Sequence, residues 1–238
     1  MANESTIDYY DNQSGQYSQK RYEGKTETYF QFLFKRRRQI FLGFIASLGD
    51  FKDFRLFEIG CADGVLIKKI LQKMPNSFSK IVGIDISPKM LEKARATTAD
   101  SRVSYFLRGE EDFSIKYNLV LEVGVHVSDL LTEVKFVSNK LSVGGYFIYS
   151  TAGKNSLHAR IKLRDKDYAK EYITYFKCEE ILNRYFEIIS SQGYGLFIPK
   201  LWAVPALARV VQPIAEALFR KILPNLFHEK IYLLRKKN

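Results

Sequence analysis

The sequence predicts an α/β fold, a parallel sheet with helices on both faces. Two observations carry that expectation. Strand-like and helix-like segments alternate from Arg55 to Ser150, the pattern of crossover-connected parallel strands. An apolar strand also runs into the glycine-rich turn Gly60-Cys61-Ala62-Asp63-Gly64, and a lone acid, Asp85, ends the next strand. With 238 residues, 46% of them hydrophobic and 14% aromatic, the chain can build a sizeable core in one domain with extensions.

Taken in order, residues 1–24 are polar and tyrosine-rich, with Tyr9, Tyr10, Tyr17 and Tyr22, and read as a flexible arm able to order over a ligand. From Thr26 to Leu48, apolar side chains from Tyr29 to Ile45 recur at helical spacing. The run Lys35-Arg36-Arg37-Arg38 interrupts that stripe as a solvated face or an anion-binding patch. Arg55–Ile59 reads as a strand, Val65–Lys73 as a helix and Lys80–Ile84 as a strand. Pro88–Arg95 reads as a helix with Ser87 as N-cap and proline at its first position. Strands follow at Val103–Leu107 and Tyr117–Val123, then a helix at Leu130–Lys140, a turn at Leu141–Gly145 and a strand at Tyr146–Ser150.

Beyond Thr151 a basic polar loop occupies residues 153–170, a helix lies near Cys178–Tyr185, and Phe186–Gly193 and Lys230–Leu234 read as strands. Between them lies the apolar segment Tyr194–Phe227, punctuated by Pro199, Pro205, Pro213 and Pro224. Its charges and prolines argue against a membrane span. From Ala206 onward it reads as an amphipathic helix. Leu207, Val210, Val211, Ile214 and Leu218 share one face, and Arg209, Gln212, Glu216 and Arg220 share the other. Its apolar face either packs on the protein's own core or over the site, or meets a membrane surface or a second copy.

A net charge of +11 favours anionic neighbours such as nucleic acid, phospholipid headgroups or a phosphorylated substrate. Two cysteines and three histidines supply neither a disulfide framework nor metal-site spacing, which suits a reducing cytoplasm. The amino-terminal residues lack the basic flank and apolar stretch of a secretory leader.

The turn sits at the carboxyl end of the first strand, where open α/β sheets bind ligands. Small residues at Gly60, Ala62 and Gly64 admit close backbone approach. Asp85 is placed to accept both hydroxyls of a ribose. In a dinucleotide site the third glycine would stand where Val65 does, and Glu58 would set a negative charge beside a pyrophosphate. Glu58 instead suits an ammonium, so the expected guest is a phosphate-free zwitterionic nucleoside, S-adenosylmethionine.

On these residues the chain resembles class I S-adenosylmethionine-dependent methyltransferases, particularly the bacterial small-molecule group that includes the ubiquinone- and menaquinone-biosynthesis enzymes. The resemblance covers roughly residues 50–151. Phe57–Gly64 is similar to the family's first motif, with Ala62 where glycine is commoner, and Asp85 is similar to its ribose-binding acid. The resemblance implies that Cys61 belongs to the donor-binding turn, that Ile86 and Met90 pack on the adenine, and that Glu110 or Glu111 meets its amino group. It implies that Glu122 and Val123 flank the donor after the Tyr117-Asn118-Leu119-Val120 strand, and that His126 is the leading candidate for a base. Tyr17 and Arg21, four apart, are placed to reach the donor's carboxylate. The implied architecture is a Rossmann-like, mostly parallel seven-stranded sheet with an antiparallel last strand. Residues 1–49 form an arm and helix capping the site, and 50–238 the methyltransferase domain, with a helical insert at about 194–227.

The expected activity is methyl transfer to a small-molecule or lipid-linked acceptor in the cytoplasm, with peripheral contact to an anionic inner-membrane surface as a further expectation. RNA is the alternative acceptor, suggested by Lys35–Arg38 and the 154–170 loop. A non-enzymatic or NAD-type nucleotide binder is disfavoured by Glu58 and Val65.

Overall fold

The computed structural model describes residues 4–23, 27–49, 52–125, 129–162 and 172–237. Helices α1 (Glu4–Gln13), α2 (Tyr17–Tyr22) and α3 (Tyr29–Ser47) precede the sheet. The expected flexible arm is therefore helical across most of its length. Its polar and tyrosine composition disguised it, because its helices pack against α3 and α5 rather than on one apolar seam of their own. A capping box starts α3: Thr28 Oγ1 accepts the Gln31 amide while Gln31 Oε1 accepts the Thr28 amide.

The sheet follows as β1 (Phe54–Ile59), α4 (Val65–Lys73), β2 (Phe78–Asp85), α5 (Pro88–Thr97), β3 (Val103–Leu107), β4 (Tyr117–Glu122), α6 (Leu130–Lys140) and β5 (Leu141–Ala152). It is completed by α7 (Leu157–Lys162), α8 (Tyr175–Leu182), β6 (Phe186–Leu196), α9 (Pro205–Phe219) and β7 (Phe227–Lys236). Ser87 caps α5 as expected, its hydroxyl accepting the Met90 amide at 3.1 Å. The seven strands lie in the order β3-β2-β1-β4-β5-β7-β6. The first five are parallel, and β7 runs antiparallel to both β5 and β6. The fold is thus the Rossmann-like sheet expected.

Successive residues of each central strand bury themselves on opposite faces. Leu56, Ile81, Leu119 and Ile148 join Leu33, Phe41 and Ile45 of α3 and Ile67 and Ile70 of α4 on one side. Phe57, Val82, Val120 and Phe147 join Val134 and Val137 of α6 and Leu182 of α8 on the other. Each fully buried side chain of this kind contributes roughly 1.5–3 kcal/mol.

Two local expectations change. Leu141–Gly145 is the opening of β5 rather than a separate turn: Tyr117 pairs with Leu141 and Leu119 with Tyr146, so the extra residues bulge out through Gly144 at φ 68°. The amphipathic helix α9 forms, but it is turned inside out. Ala208, Gln212 and Glu216 are buried while Leu207, Val210, Ile214 and Leu218 face outward. The reason lies at the open edge of β6, where Glu216 Oε1 accepts the amides of Gly195 at 2.7 Å and Leu196 at 3.3 Å. Gln212 Nε2 donates to the Leu196 carbonyl at 2.6 Å, and Arg220 Nε to that of Gly193 at 3.1 Å. Buried backbone groups without partners cost more than exposed apolar area, so the polar face turns inward.

Candidate active site

The turn after β1 is strapped to β2: the Gly60 and Cys61 amides both donate to the Ile84 carbonyl, at 2.8 and 3.0 Å. Gly60 has φ 71°, and a Cβ there would lie 2.5 Å from Val125 Cγ2, so only glycine fits. Ala62 also sits in the left-handed region, at φ 48°. It is held there by Asp85, whose Oδ2 accepts the Ala62 amide at 2.9 Å while Oδ1 accepts that of Ser87 at 2.9 Å. The Ile86 amide also bonds to this carboxylate. Burial pushes the Asp85 carboxyl up against the opposing pull of these amides.

Above the turn lies a cavity lined by Tyr17, Arg21 and Tyr22 of α2, Phe34, Arg37 and Arg38 of α3, Glu58, Gly60, Cys61 and Ala62, and Val123 after β4. Glu58, the penultimate residue of β1, is almost fully buried, and among the described residues its Oε2 has no hydrogen-bond partner. Burial first, then Asp85 and Asp63, raises its pKa well above the ordinary value. The arm roofs the cavity. Arg21 Cζ stands 3.5 Å from the centroid of Tyr17, Arg38 stacks on Tyr22 at 4.3 Å, and Ser87 Oγ donates to Asp11.

Arg37 is held hardest. Its Nε donates to the Tyr194 hydroxyl at 2.8 Å and to Glu229 Oε2 at 3.1 Å, and its Nη2 to the same carboxylate oxygen at 2.6 Å. Its Nη1 lies against Gly124, at φ 65°, where a Cβ would collide with it. Beside this group sits an aromatic nest. Tyr29 packs near His158, Phe197 and Trp202, at 6.4, 5.6 and 5.7 Å between centroids, and His158 lies 4.3 Å from His228.

Of the residues expected from sequence, Tyr17, Arg21, Glu58, Gly60, Cys61, Ala62 and Val123 thus line one cavity, with Gly64 and Asp85 supporting its floor. Met90 is buried in the first turn of α5 and Ile86 half-buried just before it. Glu110, Glu111 and Glu122 are not among the residues lining this cavity. Glu110 is exposed. Glu111 accepts the Gly109 amide at 2.7 Å and lies 3.9 Å from Lys140. Glu122, one residue before Val123, points to the opposite face of β4, where burial and then Glu133 raise its pKa well above the ordinary value. His126 lies outside the described residues, as do residues 163–170 of the basic loop expected at 153–170; the described part of that loop holds the helix α7 (Leu157–Lys162) instead.

Sequence reasoning missed Tyr22, Phe34, Arg37 and Arg38. A signal existed: Phe34, Arg37, Arg38 and Phe41 fall at helical spacing on one face, so two of the four basic residues share the apolar stripe instead of opposing it.

The site fits S-adenosylmethionine. Among the described residues an orphaned buried carboxyl oxygen at Glu58 suits the ammonium, and the Asp85 carboxylate keeps acceptor capacity for a hydroxyl. Among the described residues no group of His, Cys, Asp or Glu is placed to hold a metal ion.

Comparison with known proteins agrees with this geometry. Residues 57–147 match a family model described as a methyltransferase domain. The chain is 28% identical over 178 residues to malonyl-[acyl-carrier protein] O-methyltransferase 1 of Ilyobacter polytropus, covering 71% of this chain and 65% of that protein. It is 26% identical over 142 residues to malonyl-[acyl-carrier protein] O-methyltransferase of Priestia megaterium, covering 55% and 51%. The match therefore spans only about half to two-thirds of these relatives' lengths. Among solved structures, magnesium protoporphyrin IX methyltransferase from Synechocystis with bound SAH aligns with a TM-score of 0.67 at 13% identity, covering 98% of this chain and 99% of that one. An S-adenosylmethionine-dependent methyltransferase from Mesorhizobium loti aligns at 0.58 and 19% identity, covering 82% and 96%. These structural likenesses establish the fold.

Proposed function

Starting from the class I S-adenosylmethionine-dependent methyltransferase domain that this chain carries, we propose that it methylates a carboxylate oxygen at the end of an acyl chain, borne as a thioester on an acidic carrier. One observation carries this reading. Three guanidinium groups, Arg21, Arg37 and Arg38, converge on a cavity lined by one carboxyl group, Glu58, and Arg37, though paired with Glu229, keeps its Nη1 outside that pair. A cavity so charged suits two carboxylates, one from the donor and one from the acceptor. Arg37 Nη1, beside Gly124 at the end of β4, is the group best placed for the second. The aromatic nest around Tyr29 and Trp202 suits the apolar chain behind it, and the two curated relatives are named for a malonyl group on a carrier protein.

When bound, the donor supplies an electrophilic methyl carbon on a sulfonium, so the S–C bond breaks as a C–O bond forms. The protein's share is binding and alignment. Glu58 takes the ammonium and gives up its proton, Arg21 and Tyr17 take the donor's carboxylate, and Asp85 fixes the ribose. The roof formed by α1 and α2 excludes water, so positioning supplies much of the acceleration. A carboxylate acceptor is already ionised at neutral pH, and no general base is required. Arg37 orients it through a charge-assisted hydrogen bond.

The experiment supplies radiolabelled S-adenosylmethionine together with a malonyl thioester on carrier protein, the unacylated carrier protein, total RNA or a lipid extract. Label should appear on the malonyl thioester as a base-labile methyl ester. Label confined to RNA would replace this reading with the RNA alternative.

A further inference from the structure

The outward face of α9 is apolar along its whole length. Val210 is 62% exposed, Ile214 57%, Leu218 63% and, just beyond the helix, Ile222 72%. Leu207 and Val204 extend the stripe toward the amino end. Such a contiguous patch on a folded chain marks an interaction surface. Its orientation is specified, because Gln212, Glu216 and Arg220 are hydrogen-bonded into the edge of β6. Rotating the helix to bury its leucines would strand those groups and the backbone they satisfy.

The charges around the patch identify its occupant. Between Phe197 and Phe227 the one acid is Glu216, and it is fully buried. Exposed charge in this segment is therefore entirely positive: Lys200, Arg209 and Lys221, with the half-buried Arg220 beside them. Burial depresses the Arg220 pKa, Glu216 opposes that shift, and Arg36 of α3 adds a smaller push in the same direction as burial. Arg209 is paired with Glu27 at 3.0 Å, leaving Lys200 and Lys221 at either end of the stripe as its principal cations. In a symmetric pair of chains this rim would face its own like charges, and the chain as a whole carries +11.

We propose that the outward face of α9 docks in the plane of an anionic phospholipid surface, its apolar side chains entering the headgroup boundary and Lys200 and Lys221 meeting lipid phosphates. This is the geometry of an interfacial helix rather than of a span. At fifteen residues α9 is about 22 Å long, and among the described residues no helix is long and apolar enough to cross a membrane. Trp202, just before α9, packs on Phe32 and Tyr29 at 4.9 and 5.7 Å, so docking would bring the aromatic side of the site close to the bilayer. The inference stands apart from the acceptor's identity, and its test uses no acceptor.

The full chain is sedimented with vesicles of phosphatidylglycerol and, separately, of phosphatidylcholine, at low and high salt. The wild type should pellet with phosphatidylglycerol at low salt and be released by high salt. Leu207→Glu combined with Ile214→Glu should abolish pelleting. Lys200→Gln and Lys221→Gln should each weaken it about five-fold, the effect expected of one surface cation. Calorimetric binding of S-adenosylhomocysteine, unchanged in every variant, shows that the fold is retained. Absence of wild-type pelleting at low salt would overturn the proposal, as would full pelleting of the double glutamate variant. A wild-type dimer in analytical ultracentrifugation that the glutamate pair dissolves, without vesicle binding, would assign the face to a second copy instead.

Discussion

Replacing Glu229 by glutamine should destabilise the protein by about 3 kcal/mol, through a contact that joins residues 192 apart. Glu229 Oε2 accepts two hydrogen bonds from Arg37 and one from the Tyr194 hydroxyl, tying α3 to β6 and β7 at the mouth of the site. Removing one partner of a buried pair costs about 3–5 kcal/mol, because the other charge stays in place without compensation. The Arg37 side chain is 18% exposed, so water offsets part of the loss and the lower end applies. For a chain of this size each kcal/mol moves Tm by roughly 2–4 °C, which gives a fall of about 6–12 °C in differential scanning calorimetry. Adding Arg37→Met to Glu229→Gln should recover much of it, since the uncompensated charge is then gone. The pH profile supplies a second signature. Burial would raise the Glu229 carboxyl, but Arg37 first and then His228 and the Tyr194 hydroxyl more than reverse that, so its pKa lies below the ordinary value. A depressed pKa contributes stability that is present above the unfolded value and lost as pH falls through the folded one. The gap between wild type and Glu229→Gln should therefore close below the usual glutamate range. A Tm change within about 2 °C, or a double variant no more stable than Glu229→Gln alone, would refute the reasoning.

Other perturbations test the remaining parts of the site. Glu58→Gln should weaken S-adenosylhomocysteine binding by roughly 10–100-fold, the worth of a charged hydrogen bond, measured by isothermal calorimetry; unchanged affinity would remove Glu58 from the site. Since burial raises the Glu58 pKa and an ammonium requires its ionised form, binding should release a proton and tighten as pH rises. Calorimetry in buffers of different ionisation enthalpy reads that proton directly. Ala62→Gly relieves a left-handed alanine and should raise stability by about 0.5–1 kcal/mol without loss of donor binding. Glu216→Ala strands the Gly195 and Leu196 amides and should cost about 2–4 kcal/mol in thermal or denaturant unfolding.

Much of the fold was legible because its determinants are local. Val65–Lys73, Val103–Leu107 and Leu130–Lys140 form where the apolar period changes between 3.6 and 2, and Ser87-Pro88 starts α5 by chemistry contained in four residues. The 141–145 segment misled because its glycines serve a bulge as readily as a turn. The helical arm was hidden because its polar and tyrosine side chains lie on Arg21, Arg38 and Ser87 rather than on one apolar seam.

The sequence by itself determined the parallel sheet, the small-residue turn at Gly60–Gly64, the acids at Glu58 and Asp85, and through them the class of donor. All of these depend on spacing within about thirty residues, where backbone geometry leaves few alternatives. Only the tertiary structure decided what Arg37 does and which way α9 faces. Arg37 becomes part of the site because Glu229 and Tyr194, far along the chain, hold its guanidinium beside Gly124. α9 shows its leucines to solvent because the amides it must satisfy belong to the edge of β6. A helical period identifies two faces of a helix, but the hydrogen-bonding demand of its neighbours selects the one that turns inward.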